Sequence, residues 1–248
     1  MTEALFLADL DSPQVGDTFT LGGDEGRHAA AVRRIRVGET IMVADGAGTG
    51  IKGPVTAVDK ASVTLEIAQV LHAEGATVRY HAAQALAKGD RSELAIEMLT
   101  ELGVDRVIPW QSARSIVRWA PEREARGLAR WRSTVREATK QSRRLRVPVV
   151  TSPMTTRELV LLIEQMDAAF VLHEGAAVSL NRVDVPAEGD ILIIIGPEGG
   201  LTDDEVATLE AAGARQVLVS DGVLRTSTAG VVALAQLQAL QHRITQAK

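Results

Sequence analysis

The stretch whose residue types point most directly to ligand chemistry is Gly196-Pro197-Glu198-Gly199-Gly200. Its three glycines permit positive φ angles and let a ligand approach the backbone closely. The residues from Thr202 to Glu205 follow with the spacing of a capping box, which predicts a helix whose first amides lie beside the turn. A loop rich in backbone donors and poor in charge suits a neutral or zwitterionic nucleoside better than a triphosphate. On spacing alone, a simple strand-to-helix connection stays open.

Other kinds of site are excluded by what the sequence lacks. There is no cysteine, so disulfides, thiolate zinc sites and cysteine nucleophiles are ruled out. The Gly-x-Ser-x-Gly, Walker A and His-Glu-x-x-His patterns are absent, and the five histidines lack metal-ligand spacing, so we expect no metal. The glycine stretch is also not Gly-x-Gly-x-x-Gly, which weakens a dinucleotide-binding interpretation.

Three predicted strand ends position this loop. The apolar run Ile191–Ile195 is typical of a strand that is buried on both faces of a parallel sheet. Strands are also predicted over 168–173 and 216–219, ending at His173 and just before Ser220. The carboxyl ends of parallel strands meet at one edge of a sheet, where ligands bind. We therefore expect the glycine loop and a second glycine- and hydroxyl-rich loop, Ser220 to Gly230, to wrap one small cofactor.

The chain changes pattern near residue 73. Up to that point it shows short alternating strands at 15–21, 40–46, 53–58 and 62–67, with one helix at 23–33, which is typical of a small β-barrel. Beyond it, strands alternate with longer helices, as in a parallel α/β domain. The predicted domains are therefore 1–73 and 74–248, and the fold class is α/β with an added β-barrel.

Basic residues are concentrated in one part of an acidic protein. The net charge is −5, yet residues 112–148 hold 11 Lys/Arg against 3 Asp/Glu. On a helix beginning near Pro121, four apolar residues share one face, namely Leu128, Trp131, Val135 and Ala138. The opposite face carries Arg126, Arg130, Arg136, Lys140, Arg143 and Arg144. A second basic cluster comprises His28, Arg33, Arg34 and Arg36. Both clusters suit a polyanion, although a merely solvated basic face is the alternative.

Localisation follows from the apolar pattern. No apolar run approaches the roughly 20 residues of a membrane span, and the N-terminus lacks a basic signal-peptide region. We therefore expect a cytoplasmic protein with no membrane partner.

Five short motifs in order resemble the SPOUT-class methyltransferases that modify uracil N3 in 16S ribosomal RNA. The matching residues are Arg27-His28…Val32-Arg33…Gly38-Glu39, Lys88…Glu97-Met98-Leu99-Thr100-Glu101-Leu102-Gly103-Val104, Arg130-Trp131…Glu137-Ala138…Gln141-Ser142-Arg143-Arg144…Val147-Pro148, Ile195-Gly196-Pro197-Glu198-Gly199-Gly200…Glu205 and Leu224-Arg225-Thr226…Thr228-Ala229. The resemblance implies a PUA-like RNA-binding barrel over 1–73 and a methyltransferase domain with a trefoil knot over 74–248. It also implies a homodimer that acts on 16S rRNA or the small ribosomal subunit.

The resemblance implies S-adenosyl-L-methionine as the cofactor. The residues expected to hold it are His173, Gly196, Pro197, Glu198, Gly199, Gly200, Val219, Ser220, Val223, Leu224, Thr226, Thr228 and Ala229. The residues expected to hold RNA are His28, Arg33, Arg34, Arg36, Arg136, Lys140, Arg143 and Arg144. The second loop departs from the family pattern at Ser220, Gly222 and Ser227, where the family has a glycine, an arginine and a glutamate.

The implied reaction requires N3 of uracil to lose a weakly acidic proton before the nitrogen attacks a sulfonium methyl group. Arg225 is predicted to stabilise the uracil anion or orient the substrate, and Glu198 to accept the proton. Glu198 could instead be a charge that suits a helix N-terminus. Two other functions stay open: a non-catalytic RNA-binding or ribosome-assembly factor, and a nucleotide-dependent metabolic enzyme.

Overall fold

A computed structural model describes residues 3–246, which divide into two compact units. The first unit contains the described residues up to 75 together with 136–147, and the second contains 76–135 and the described residues from 148 onward. The division thus adds a distant segment to the first unit that the predicted boundary at 73/74 did not include. The domains 1–73 and 74–248 themselves stay a prediction.

The first unit is built on a largely antiparallel sheet. Its strands are β1 (Ala4–Leu7), β2 (Thr18–Leu21), β3 (Thr40–Ala44), β4 (Thr49–Val58), β5 (Val63–Glu66) and β6 (Gln69–His72). The strand order is β1-β3-β4-β5-β2, with β6 beside β4, and only the β1–β3 pair of the described residues is parallel. The predicted strands are confirmed with shorter or shifted ends, whereas β1 and β6 were not predicted.

The predicted helix over 23–33 is confirmed over residues 23–32, but it is not α-helical throughout. The structure has a short α-helix, α1 (Gly23–Arg27), which continues as a π-helical turn, His28–Val32. Gly26 explains part of this local geometry, because a Cβ there would lie 2.4 Å from the carbonyl oxygen of Leu21. After this turn Arg33, Arg34 and Arg36 are exposed, whereas Ile35 between them is buried in the core of the unit.

The second unit is a parallel sheet with helices on both faces. Its strands are β7 (Val78–Ala85), β8 (Arg106–Gln111), β9 (Val149–Val150), β10 (Met154–Thr155), β11 (Ala168–Leu172), β12 (Gly189–Ile195) and β13 (Arg215–Val217). The helices are α2 (Arg91–Leu102), α3 (Pro121–Ser142), α4 (Thr156–Ile163), α5 (Asp203–Ala211) and α6 (Thr226–Gln246), of which the end of α3 belongs to the first unit. The order is β10-β8-β7-β12-β11-β13, with β9 beside β8, and all pairs of described strands are parallel.

Strand β12 lies at the centre of this sheet, as the apolar run predicted. Its residues Ile191–Ile195 are buried, and it pairs with β7 on one side and β11 on the other. Leu159 of α4 and Leu209 of α5 pack in the same core cluster as Leu192 and Ile194. The carboxyl ends of the parallel strands β7, β12, β11 and β13 consequently meet at one edge, and the two predicted loops follow β12 and β13 there.

Residues 3–246 contain neither a membrane-spanning helix nor a cluster of metal ligands. No described helix is both long and apolar enough to span a membrane. No group of three or more His, Cys, Asp or Glu side chains among the described residues is arranged to hold a metal ion.

Candidate active site

The glycine loop is a tight turn at the carboxyl end of β12. The Gly200 amide donates to the Pro197 carbonyl over 3.0 Å, and Gly200 has a φ of +69°, which favours glycine. Helix α5 follows at once, with the predicted capping box between Thr202 and Glu205 in place. The loop therefore presents its backbone at the end of a buried strand, as predicted.

A segment after β8 fixes this loop from the other side, and nothing in the sequence pattern indicated it. The Arg114 Nη1 donates to the carbonyl oxygens of Leu201, over 3.0 Å, and Gly199, over 3.3 Å. The neighbouring Ala113 amide donates to Glu205 Oε1 over 2.7 Å. Glu205 is buried, so this carboxylate both caps α5 and anchors the segment. The glycine loop is thus held by residues that do not themselves line the cavity or the recess described below.

A buried hydroxyl joins the two predicted loops directly. The Thr226 Oγ1 donates to the Gly196 carbonyl over 2.7 Å and accepts from Gln84 Nε2 over 2.8 Å. Gln84 stands at the end of β7, and both it and Thr226 are buried. One hydroxyl therefore ties together the ends of β7 and β12 and the start of α6. The sequence predicted Thr226 as a cofactor residue but not Gln84, which lies 142 residues away in the chain.

A cavity of about 270 Å³ opens between the two loops. Ten of the residues predicted to hold the cofactor or act in catalysis line it: His173, Gly196, Pro197, Glu198, Gly200, Val223, Leu224, Arg225, Thr226 and Ala229. A smaller recess of about 60 Å³ shares several of these residues and adds Val219 and Ser220. The structure thus brings the two predicted loops and the end of β11 to one place.

The predicted set and the observed lining differ in a few residues. Gly199 and Thr228 line neither cavity, and Gly199 instead contacts Arg114. Sequence reasoning missed the remaining lining residues, which are Arg91, Leu172, Glu174, Ile195, Leu201, Leu218 and Gly222. Most of them are apolar or sit beside a predicted residue. Arg91 is the exception, since it comes from the start of α2.

The two predicted catalytic groups have different surroundings. Arg225 is exposed, and its guanidinium makes no hydrogen bond or ion pair with residues 3–246. The Glu198 side chain is 20% exposed, and its Oε1 accepts from the Lys88 amide at 3.1 Å and Arg91 Nη1 at 3.3 Å. One carboxylate oxygen is therefore already engaged by two donors, while the arginine is available to a ligand.

His173 lies just beyond the end of β11 and is half-buried. Its Nδ1 accepts from the Gly175 amide over 3.1 Å, which leaves Nε2 as the ring nitrogen that can donate to a ligand. His173 lines both the cavity and the recess.

The departures from the family pattern are accommodated locally. The Ser220 Oγ accepts from the Gly222 amide over 3.2 Å and closes a small turn. A Cβ at Gly222 would meet nothing within 4 Å, so the turn does not require glycine for space. Ser227 is buried at the start of α6, and it lines neither the cavity nor the recess.

The predicted basic helix keeps its two faces, but its cations are not equivalent. The four apolar residues named for α3 are all buried. Within the first unit, Lys140 is only 12% exposed and pairs with Glu25 at 3.1 Å and Glu137 at 2.8 Å. Arg136 is exposed, although Glu25 lies 3.8 Å away, and Arg143 is exposed with a φ of +55°. Lys140 is thus largely neutralised inside the unit.

The second basic cluster lies around the π-helical turn. Arg33, Arg34 and Arg36 are exposed, whereas His28 is half-buried with its ring edge-on to Phe6 at a centroid distance of 6.3 Å. The three arginines can therefore meet a phosphate backbone without rearrangement. The predicted basic face does not extend to Arg143 and Arg144, because α3 ends at Ser142; Arg144 is half-buried and its amide donates to the Thr139 carbonyl over 3.1 Å.

The opposite edge of the parallel sheet carries a separate charged cluster. Asp190 accepts from Arg79 Nη2 at 2.6 Å and contacts His81 Nε2 at 2.6 Å. The hydrogen bond from Arg79 is the main reason that the pKa of Asp190 falls to about 2, while burial lowers the pKa of His81. This cluster ties β7 to β12 far from the cavity.

Two family models match the chain, one over the N-terminal antiparallel sheet and one over the parallel α/β part. An RNA methyltransferase PUA domain matches residues 21–68, and an RNA methyltransferase domain matches residues 74–238. The second match covers more than half of the 248 residues. The class defined by fold and site is therefore that of RNA methyltransferases that carry a PUA domain.

Similar proteins narrow the class. The ribosomal RNA small subunit methyltransferase E of Mycobacterium tuberculosis (strain CDC 1551 / Oshkosh) is 39% identical over 247 residues, covering 98% of this chain and 94% of that protein. The protein of the same name from Bacillus subtilis (strain 168) is 30% identical over 242 residues, covering 94% of both. This chain belongs to the ribosomal RNA small subunit methyltransferase E family.

Solved structures agree with this assignment. The Neisseria gonorrhoeae ribosomal RNA small subunit methyltransferase E, bound to S-adenosyl methionine, superposes with a TM-score of 0.84 at 29% identity, covering 96% of this chain and 98% of that one. A Legionella pneumophila protein in complex with the bound cofactor SAM gives a TM-score of 0.84 at 28% identity, with the same coverage. The predicted α/β fold with a PUA-like N-terminal part is confirmed, and the trefoil knot stays a prediction.

Proposed function

We propose that this protein transfers the methyl group of S-adenosyl-L-methionine to N3 of a specific uridine in 16S rRNA. The observation that carries the proposal is the cavity formed jointly by the loops after β12 and before α6. Family membership supports it, since relatives are named ribosomal RNA small subunit methyltransferases and one solved relative is bound to S-adenosyl methionine.

The residues of the cavity fit this cofactor in size and chemistry. Its volume of about 270 Å³ is close to the lower end of the range for small-molecule pockets, about 300 Å³, and the adjoining recess adds about 60 Å³. Leu172, Leu201 and Leu224 supply apolar wall for a purine ring, while turn backbones and Glu174 supply polar contacts. When bound there, the cofactor would supply an electrophilic methyl group on a sulfonium.

The chain's own residues would then bind and activate the uridine. Arg225 lines the cavity without a protein partner among the described residues, which suits a group that stabilises the charge developing on the base. Glu198 lines the same cavity; the resemblance predicts it as the proton acceptor, and its Oε1 already accepts from the Lys88 amide and from Arg91 Nη1. Watson–Crick pairing hides N3, so the target uridine must be unpaired or extruded.

The exposed arginines would hold the flanking phosphates. Arg33, Arg34 and Arg36 in the PUA part, together with Arg136 and Arg143, are accessible cations in the first unit. His28, Lys140 and Arg144 belong to the same proposed RNA-binding set, with Lys140 the weakest member because of its ion pairs. Phosphate contacts of this kind set register and affinity without reading sequence.

The wider biological setting is proposed on the same basis. We expect 1–73 to act as the RNA-binding domain and 74–248 as the methyltransferase domain, knotted at its chain end. We also expect a homodimer that works in the cytoplasm on 16S rRNA or the small ribosomal subunit.

A direct assay tests the proposal. Purified protein and labelled methyl donor are incubated with 16S rRNA, or with small subunits from cells that lack the enzyme. Label should appear in 16S rRNA, and mass spectrometry of the digested RNA should locate it on N3 of one uridine. If no label is transferred and calorimetry detects no methyl-donor binding, the alternative of a non-catalytic RNA-binding or assembly factor is favoured.

A further inference from the structure

Arg91 is a second cation in the cavity, and it comes from an element that carries no predicted catalytic residue. It is the first residue of α2, which begins just after the carboxyl end of β7. Because β7 pairs with β12, this helix start lies beside the glycine loop. Arg91 and Arg225 consequently line the same cavity, although they approach it from different elements.

Glu198 holds Arg91 in place. The Glu198 Oε1 accepts from Arg91 Nη1 at 3.3 Å and from the Lys88 amide at 3.1 Å, so it fastens the glycine loop to the segment before α2. An arginine has five N–H donors in a rigid plane, and this contact uses one of them. The Arg91 side chain is still 41% exposed, which leaves donors for a ligand.

The chemistry of uracil calls for two donors of this kind. When N3 loses its proton, the negative charge spreads over the two carbonyl oxygens that flank it, O2 and O4. A single cation can contact one of these oxygens closely, whereas two cations on different sides of a cavity can contact both. Preorganised donors aimed at developing charge contribute most when they need not move during the reaction.

We infer that Arg91 is a second catalytic cation, which stabilises one uracil carbonyl oxygen while Arg225 stabilises the other. Glu198 is then a positioning residue that orients Arg91. The inference rests on the proposed function and deepens it, because a pair of cations flanking N3 would select a base with a carbonyl on each side of the reacting nitrogen.

On this inference, methyl transfer to N3 needs no protein side chain as the base. The N3–H bond breaks, and its proton goes to solvent water or hydroxide. The N3 electron pair forms the new bond to the methyl carbon, and the methyl–sulfur bond breaks with its electron pair remaining on sulfur. The two arginines keep their protons and carry no new covalent bond.

Arg91→Gln tests the role of this cation. The variant should lose roughly 10²-fold in kcat near neutral pH, the usual cost of removing one such donor, while its affinity for the methyl donor, measured by calorimetry, stays within about threefold. The loss should shrink as pH rises and should also shrink on RNA transcribed with 5-fluorouridine, whose N3 proton is more acidic. Arg91→Lys should recover part of the activity.

A binding measurement gives a readout independent of turnover. Wild-type protein should bind 5-fluorouridine RNA more tightly as pH rises through the titration of its N3, because the anion forms. Arg91→Gln should lose most of that pH dependence while keeping its affinity for unmodified RNA. Glu198→Gln can still accept from Arg91 and the Lys88 amide, so it should be impaired much less than Glu198→Ala.

Other results would overturn the inference. A kcat loss in Arg91→Gln that is equal at all pH values and for both RNAs would mean a merely structural role. A Glu198→Gln variant as inactive as Glu198→Ala would make Glu198 the base. Wild-type protein that labels no RNA at all would refute the proposed function itself, whereas an active wild type with a fully active Arg91→Gln would refute only this inference.

Discussion

Replacing Thr226 by valine should loosen the two cavity loops from each other. Valine keeps the size and β-branching of threonine but removes the hydroxyl that donates to Gly196 and accepts from Gln84. The change therefore isolates the two hydrogen bonds that join the ends of β7 and β12 to the start of α6. Thr226→Ser is the matched control, because it keeps the hydroxyl and loses only a methyl group.

The expected loss of stability depends on which polar groups lose their partner when the Thr226 hydroxyl is removed. A typical net hydrogen bond contributes about 1 kcal/mol, and a buried polar group without its partner costs about 1–3 kcal/mol. The Gln84 Nε2 keeps a second acceptor, the Ala85 carbonyl at 3.1 Å, whereas the half-buried Gly196 carbonyl loses the hydroxyl donor. We expect the free energy of unfolding of Thr226→Val to fall by roughly 2–3 kcal/mol, and that of Thr226→Ser by about 1 kcal/mol.

Two assays check this expectation. The three tryptophans, Trp110, Trp119 and Trp131, all lie in the second unit, so urea unfolding followed by their fluorescence reports on that unit. If the loop arrangement that binds the methyl donor becomes about 2 kcal/mol less stable, calorimetry should show the methyl-donor affinity weakened by up to about 30-fold. A Thr226→Val protein that matches Thr226→Ser in both assays would refute the view that this hydroxyl fixes the loops.

Three further outcomes are expected. Arg114→Ala should weaken methyl-donor binding by roughly tenfold, because the glycine loop loses the donor to its Gly199 and Leu201 carbonyls, and Arg114→Lys should recover only part of the affinity in calorimetry. Arg143→Gln should reduce the slope of log affinity for RNA against log salt by about 0.7 to 0.9, the value for one phosphate contact. Lys140→Gln should change that slope much less, because Glu25 and Glu137 already engage the ammonium, and it should lower the urea midpoint. Asp190→Asn should lower the free energy of unfolding by about 1–2 kcal/mol at neutral pH. The carboxylate stabilises the fold above about pH 4, because its pKa is lower in the folded protein than in the unfolded chain. The difference between variant and wild type in urea unfolding should therefore vanish as pH falls towards 2.

Local patterns in the sequence were sufficient for the central part of the site. The short, mostly β-branched apolar run before Gly196 correctly predicted a buried strand, and the spacing of Thr202 and Glu205 placed the start of α5 correctly. These features depend on neighbours within a few residues, so the sequence carries them directly. The resemblance of the second loop to its family then placed Arg225 in the cavity.

Contacts between distant segments were beyond such reasoning. Periodicity predicts strands but not which strands are neighbours. It could not show that β7 and β12 pair, and so it could not place Arg91 beside Glu198, 107 residues later. The capping role of Glu205 was predictable, while its bond to the Ala113 amide was not.

The absence of distant contacts from sequence patterns also explains why Lys140 was predicted as an RNA-binding cation. A helical projection places it on the basic face with Arg136, because the projection considers only the helix itself. The projection cannot include Glu25, which lies 115 residues earlier and neutralises this lysine in the folded unit. Helix α1 shows the limit again, since a Cβ at Gly26 would lie 2.6 Å from the carbonyl oxygen of Ala61, a residue of a distant loop that no local pattern brings there.

The discontinuity of the first unit has a consequence for how the protein is made. Residues up to 75 leave the ribosome first, yet Lys140 and Val147, which contact Glu25 and Gly46, are synthesised only after β7, α2 and β8. N-terminal domains generally fold first during synthesis. Here the N-terminal sheet cannot complete its contacts until much of the second unit's chain has emerged. Its final closure is therefore a late event in biosynthesis, even though its strands are the earliest to appear.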